Sequence, residues 1–164
     1  MNRSLQAILL GVLILSLDQA SQQLVLEQIS QTRSVEIIPG LFKLSLVTNT
    51  GAAWGILRGQ GLWLTLLAIA AIFVLIIVRR RFTYVGWLPR VALGLLLGGI
   101  AGNLTDRLKY GFVVDFLDFY IDGWHWPAFN VADSAICIGV ILYLFDSFKR
   151  ERAVSNKIVS AHSL

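Results

Sequence analysis

Hydrophobic residues in this chain gather into four long blocks. The clearest, Gly61 to Val78 (GLWLTLLAIAAIFVLIIV), carries no charge and a single polar residue, Thr65. A helix rises about 1.5 Å per residue, so roughly 20 apolar residues cross a hydrocarbon core of about 30 Å. This block is expected to span a membrane. Another block is apolar from Leu5 to Leu17 and reaches spanning length if its helix continues through Asp18, Gln19 and Gln22 to Leu26. Two more run from about Val91 to Leu108 and from about Val131 to Phe148, each with polar residues at one end. The pattern predicts an all-α integral membrane protein, a single membrane domain over residues 1–164 with transmembrane helices at about 5–26, 61–78, 91–108 and 131–148.

Between the first two helices, over about residues 28–60, the period changes. Phe42, Leu44 and Leu46 alternate with Lys43 and Ser45, the period of a strand. Pro39-Gly40 before them and Asn49-Thr50-Gly51 after them supply turn chemistry. A small extracytoplasmic β element lying on the membrane is expected there. In the third helix Gly94, Gly98 and Gly102 stand four apart, which aligns three positions without side chains and admits a close helix partner.

Composition agrees with the spans: the 164 residues are 56% hydrophobic, with a mean hydropathy of +0.70. Arg3 ahead of the first block raises the competing reading of a cleaved signal peptide. The residues that follow, Leu17-Asp18-Gln19, lack the small side chains of a cleavage site, so a retained helix is preferred. The single Cys137 allows no intramolecular disulfide and is expected to pack as a small apolar residue.

Charge sets an orientation. Arg3, Arg79, Arg80, Arg81, Arg90, Lys149, Arg150, Arg152 and Lys157 make nine of the fourteen basic residues, and all fall on one side if both termini are cytoplasmic. The other side then holds eight of the ten acids. The net charge of +4 is thus a topology signal, with Arg79 to Arg81 anchoring at lipid headgroups, and does not call for a nucleic-acid partner. A cytoplasmic tail is expected over 149–164, disordered from Ala153 onward.

With this topology the membrane-embedded polar residues converge at the outer face. Asp18 and Gln19 come from helix 1, Asn103, Asp106 and Arg107 from the end of helix 3, and Asn130 and Asp133 from the start of helix 4. Asn49 and Asp115 are assigned to the two outer loops. A carboxylate at membrane depth costs about 2.5–3.5 kcal/mol on insertion scales, so such residues face the interior and mark function. Plainer roles are open for several. Asn130 and Asp133 have the spacing of an N-cap and its third helical position, Arg107 can snorkel or pair with Asp106, and Asp118 and Asp122 fit solvated loop acids.

No serine stands with a histidine in a recognisable motif, and the cysteine is mid-membrane, so serine and cysteine nucleophile schemes lack parts. Two close aspartates can share one proton, and Asp115 and Asp133 are the candidate pair. The competing chemistry uses Asp115, Asp118 and Asp122 as magnesium ligands for a phosphate-bearing lipid, as in CDP-alcohol phosphotransferases. The Ala-Arg pair of that pattern and its acid at position 119 are missing. A nonenzymatic membrane subunit or transporter is the third class.

Four blocks then follow in order: Asp18-Gln19; Asn49-Thr50-Gly51-Ala52-Ala53; Gly102-Asn103 to Arg107 and on through Gly111 to Asp115-Phe116; and Phe129-Asn130-Val131-Ala132-Asp133-Ser134. Through them the chain resembles lipoprotein signal peptidase, the bacterial type II signal peptidase. The resemblance implies a multi-pass protein of the bacterial inner membrane that removes signal peptides from prolipoproteins, cutting on the amino side of a diacylglyceryl-modified cysteine. It places the catalytic dyad on Asp115 and Asp133. Asp18, Gln19, Asn49, Gly51, Asn103, Arg107 and Asn130 would line the site and support the dyad or bind substrate. No metal or cofactor is implied; membrane lipid and cyclic peptide antibiotics such as globomycin are implied partners. Two positions depart from the family pattern: Gln22 stands where lysine is common, and Trp54 where phenylalanine is usual.

Overall fold

The computed structural model describes residues 2–29, 33–52, 56–83 and 86–162, with side chains to residue 153. Trp54 lies outside the described residues. Four helices, α1 (Arg3–Gln28), α2 (Gly61–Thr83), α3 (Trp87–Tyr110) and α4 (Val131–His162), carry a four-stranded antiparallel sheet at one end. Its strands are β1 (Val35–Ile38), β2 (Phe42–Asn49), β3 (Val113–Ile121) and β4 (Trp124–His125), neighbours in that order.

All four helices are long and apolar enough to cross a membrane. Each outruns the span expected from its apolar core because polar and basic residues continue the helix beyond the hydrocarbon. Thus α2 runs on through Arg79, Arg80 and Arg81 to Thr83. The largest correction is at the end of α4. The expected disordered tail is instead helical to His162, since residues 149–162 contain neither glycine nor proline. An Asp146–Arg150 ion pair at 2.5 Å, spaced i,i+4, supports the turn where the apolar stretch ends.

Helix α3 is the centre of the bundle. Half of its apolar window is buried, against 6–17% in the other three. The glycine stripe accounts for its contact with α1: a Cβ on Gly98 would stand 2.5 Å from the Gly11 carbonyl oxygen, and one on Gly94 2.8 Å from that of Ala7. Gly99 does the same toward α4, with the Ala132 oxygen 2.5 Å from its absent Cβ. These backbones touch because no side chain intervenes. Helix α3 stops at Gly111, whose φ of 77° is left-handed and whose N–H closes onto the Arg107 carbonyl at 3.0 Å.

The sheet draws on both outer segments, whereas the sequence pattern predicts a strand only between the first two helices. Val113–Ile121 is buried on both faces over its first four residues, so it shows no period of two. It then turns at Asp122-Gly123, both with positive φ, into the short β4. Asp115 and Asn49 therefore sit on paired strands rather than in loops: Val47 opposes Asp115, and Asn49 opposes Val113. The register slips by one residue between Leu44 and Val47, a bulge immediately before the segment that carries Asn49. The sheet rests on the end of α1, where Val25, Ile29 and Phe116 form a small core with Leu44, Leu46 and Val131 at its edge.

Asp118 is a second correction. The expected solvated acid is 7% exposed, accepts from Ser45 Oγ at 3.1 Å, and faces Lys43 Nζ at 3.6 Å and His125 Nδ1 at 2.8 Å. It ties β2, β3 and β4 together.

Substituting Gly98→Leu is expected to force α1 from α3 and cost about 1–3 kcal/mol, the range for overpacking a close-packed interior. Thermal unfolding in detergent reads this directly, and an unchanged midpoint would show that the Gly11–Gly98 approach does not hold the bundle.

Candidate active site

The chain rules for β3 and α4 bring two carboxyls to one cavity. Asp115 is the third residue of β3, and Asp133 lies in the first turn of α4. Both line a cavity of about 690 Å³, together with Asn49, Gly51, Asn103 and Arg107. Trp126 and Phe129 close its outer wall, and Ile136 and Cys137 form the wall one turn below Asp133. Cys137, expected to pack as a small apolar residue, is exposed on that wall.

Two asparagines connect the carboxyls. Asn130 Nδ2 donates to Asp115 Oδ1 at 3.0 Å and to Asn103 Oδ1 at 3.1 Å, and Asn103 Nδ2 donates to Asp133 Oδ1 at 2.7 Å. The N-cap spacing noted in the sequence is realised as well: Asp133 N–H donates to Asn130 Oδ1 at 2.8 Å, and Asn130 N–H to Asp133 Oδ2 at 3.4 Å. The cap and the site are one structure. Phe129 holds the segment in place by pairing with Leu117 of β3 through N–H to carbonyl bonds of 3.1 and 2.8 Å, one in each direction.

Asp115 is 1% exposed, and its second oxygen accepts from Asn49 Nδ2 at 3.0 Å. Burial pushes its carboxyl up to about 8, the negative charge of Asp133 adds to the rise, and the Asn49 hydrogen bond opposes it. Asn49 is itself set by the Gly51 N–H, which donates to its Oδ1 at 2.9 Å. Arg107 does not pair with Asp106 but reaches across the cavity floor, donating to the Gly51 carbonyl at 3.1 Å and to that of Asn103 at 3.3 Å. It fixes the loop that positions Asn49.

Asp18 and Gln19 stand behind the cavity and do not line it. Asp18 is fully buried: Oδ1 accepts the Ala132 N–H at 2.9 Å, and Oδ2 accepts Gln22 Nε2 at 3.0 Å. It clasps α1 to the free amides at the start of α4, and Gly102 lacks a Cβ where that carboxylate passes. Gln22 thus supplies an amide donor where the family pattern has lysine. Gln19 Nε2 donates to Asp106 Oδ1 at 2.8 Å, and Gln19 Oε1 accepts from Lys109 at 3.1 Å.

Sequence reasoning undervalued Asp106, which is fully buried and whose Oδ2 accepts the Val114 N–H at 3.0 Å. Its spacing of three from Asn103, on the same helical face, is the signal that points to it. The magnesium set fares poorly as geometry. Asp115 and Asp118 are an odd number of residues apart on one strand, so their side chains leave opposite faces. Asp118 is already taken by Ser45, Lys43 and His125.

The chain is similar to known proteins along most of its length. Residues 10–149 match the family described as signal peptidase (SPase) II. The chain is 43% identical over 143 residues to a lipoprotein signal peptidase of Photorhabdus laumondii, covering 85% of each chain. It is 43% identical over 141 residues to one of Shewanella halifaxensis, covering 84% of this chain and 82% of that one. Among solved structures, a bacterial membrane enzyme determined by the in meso method at 2.3 Å superposes with a TM-score of 0.80 at 35% identity, over 87% of each chain. A second such enzyme, at 1.9 Å, gives 0.75 at 35% identity, over 85% of this chain and 90% of that one. With its four spans and its polar cavity at one end of the bundle, the chain belongs to the signal peptidase II family and is a multi-pass bacterial membrane peptidase.

Proposed function

We propose that this peptidase removes signal peptides from prolipoproteins by hydrolysing the bond on the amino side of a diacylglyceryl-modified cysteine, with Asp115 and Asp133 as its catalytic pair. The observation that carries the reading is the pairing of two largely enclosed carboxyls across one cavity, linked through Asn103 and Asn130.

Asp133 is the ionised partner. Its carboxylate lies at a helix N-terminus and accepts from Asn103 and from the Asn130 amide. Asp115, buried in the sheet with a carboxyl raised to about 8, carries the shared proton. In the reaction Asp133 takes a proton from water as its oxygen attacks the scissile carbonyl carbon, and Asp115 gives its proton to the carbonyl oxygen. The tetrahedral intermediate then collapses: the C–N bond breaks, Asp133 delivers its proton to the leaving nitrogen, and Asp115 recovers its own. Water and peptide bond are consumed, and the two carboxyls return to their starting states. Asn49, Gly51 and Arg107 form the wall against which the substrate backbone lies. Ile136 and the lipid-facing side of α4 offer apolar surface to the diacylglyceryl chains.

The charge pattern supports a placement in the inner membrane with both termini cytoplasmic. Arg79 to Arg81 end α2 on the side opposite the sheet, so the cavity lies near the outer face, where a lipid-anchored cysteine presents its peptide bond. A cyclic peptide such as globomycin would compete for the same cavity.

Asp115→Asn and Asp133→Asn are each expected to lower cleavage of a lipidated precursor by roughly 10²–10⁴-fold, with the fold intact. The assay is followed on gels with and without a chelator. Parental rate in either variant sinks the dyad, and loss of parental activity on chelation moves the reading to a metal enzyme.

The pH dependence has a fixed sign. Asp115 is raised, so its proton is held below about 8 and lost above it. Activity is therefore expected to fall as pH rises through about 8, and a rate that stays level to pH 10 would remove Asp115 as the acid.

A further inference from the structure

We infer that Asp106 is a positioning residue for Asp115: it holds the backbone of β3 at Val114 and sets where the next side chain stands in the cavity. The inference rests on the proposed dyad and deepens it.

The geometry begins with a turn that needs an anchor. Helix α3 ends at Tyr110, Gly111 reverses the chain in a left-handed conformation, and β3 starts only two residues later. Asp115 follows in the third position of the strand. Val114 is fully buried, and its N–H points back to Asp106 Oδ2 at 3.0 Å, from strand to helix across eight residues of chain. The Val114 carbonyl shares the Asn130 side-chain amide as its third and most distant acceptor, at 3.3 Å, so the residue preceding Asp115 is held firmly at its N–H and more weakly at its carbonyl. One hold comes from α3 and the other from the start of α4. The other oxygen of Asp106 accepts from Gln19, which locks the carboxylate to α1 and prevents its rotation away from Val114. Few placements of Asp115 satisfy all of these bonds at once.

Asp106 also acts through charge. The charges acting on Asp115 are Asp133 from α4 and Arg107 and Asp106 from α3, and Arg58 lines the same cavity. Asp106 and Asp133 favour the protonated form of Asp115, and Arg107 opposes them. A residue that only filled space at the α3–β3 corner would have the first effect without the second.

The test separates the two. Asp106→Asn keeps the size and one acceptor oxygen but removes the charge, and Asp106→Glu keeps the charge while moving the oxygens. In cleavage of a lipidated precursor by the full-length protein, Asp106→Asn is expected to shift the basic limb of the pH–rate profile to lower pH by about 0.5–1 unit. Asp106→Glu should leave that limb in place and lower kcat by roughly 10- to 100-fold with KM little changed, the cost of about 1 Å of misplacement. Lys109→Ala, which touches the network only through Gln19, keeps the parental rate. An unmoved limb in Asp106→Asn overturns the electrostatic half, and parental kcat in Asp106→Glu overturns the positioning half. If Asp106→Asn does not fold, Asp106→Glu and its kcat–KM split decide alone. Failure of the underlying dyad is read separately, as parental cleavage by Asp115→Asn.

Discussion

The side-chain amide of Asn130 is the connection on which the site depends. Its oxygen caps α4, and its nitrogen faces the carboxyl of Asp115, the Val114 carbonyl and the side chain of Asn103, so one residue fixes α4, β3 and α3 to each other. In a bilayer a polar group that misses its partner has no water to fall back on, and each such loss costs several kcal/mol. The need to satisfy Asn130 therefore selects the relative placement of three elements, and the two aspartates follow from that placement. Asp18 works in the same way from the other side: its carboxylate takes the Ala132 amide that the cap leaves open.

These bonds are formed only because the backbones come close. The contacts of α3 with α1 and α4 run through Gly94, Gly98, Gly99 and Gly102, where a methyl group would meet main chain or the Asp18 carboxylate. Van der Waals packing at this distance is a main source of helix association in lipid, where apolar side chains gain little by leaving the acyl chains. It also lets a side chain as short as aspartate reach from α1 to α4. Packing and polar chemistry are thus coupled along one helix. Helix α2, with only Leu64, Phe82 and Thr83 buried, stays outside this network.

The four helices were legible because hydrocarbon thickness imposes a length and a composition on the chain, and both survive in the sequence. Their ends were not, since Arg79 to Arg81 or the turn after Phe148 can continue a helix in water as well as stop it. Strand β2 could be read because its two faces differ in chemistry: Leu44 and Leu46 pack against the small core at the end of α1, while Lys43 and Ser45 meet Asp118. Strand β3 could not, because Val113, Val114, Asp115 and Phe116 are all buried, and burial on both faces erases alternation. The Asp122-Gly123 hairpin signal remained as its one local trace. The site residues were legible as a set, through their motifs, but their division of labour was not. Which acids line the cavity and which brace it depends on the helix rotations that the glycines permit: Asp18 and Asp106 turn inward to amides, while Asp133 turns to the cavity.

Two chemically identical side chains are made unequal by the elements that carry them. A strand offers Asp115 no field of its own, since strand dipoles nearly cancel, so its carboxyl depends on the neighbours packed against it. Those neighbours are one amide donor on each oxygen, a buried setting, and the charges of Asp133 and Asp106, a balance that favours keeping the proton. Asp133 instead stands at the start of a helix, where the aligned peptide dipoles favour a carboxylate. In the proposed mechanism the asymmetry that shared-proton catalysis needs would be supplied before any substrate arrives. It arises from placing one acid on a strand and the other on a helix terminus, with Asn103 and Asn130 holding them in register.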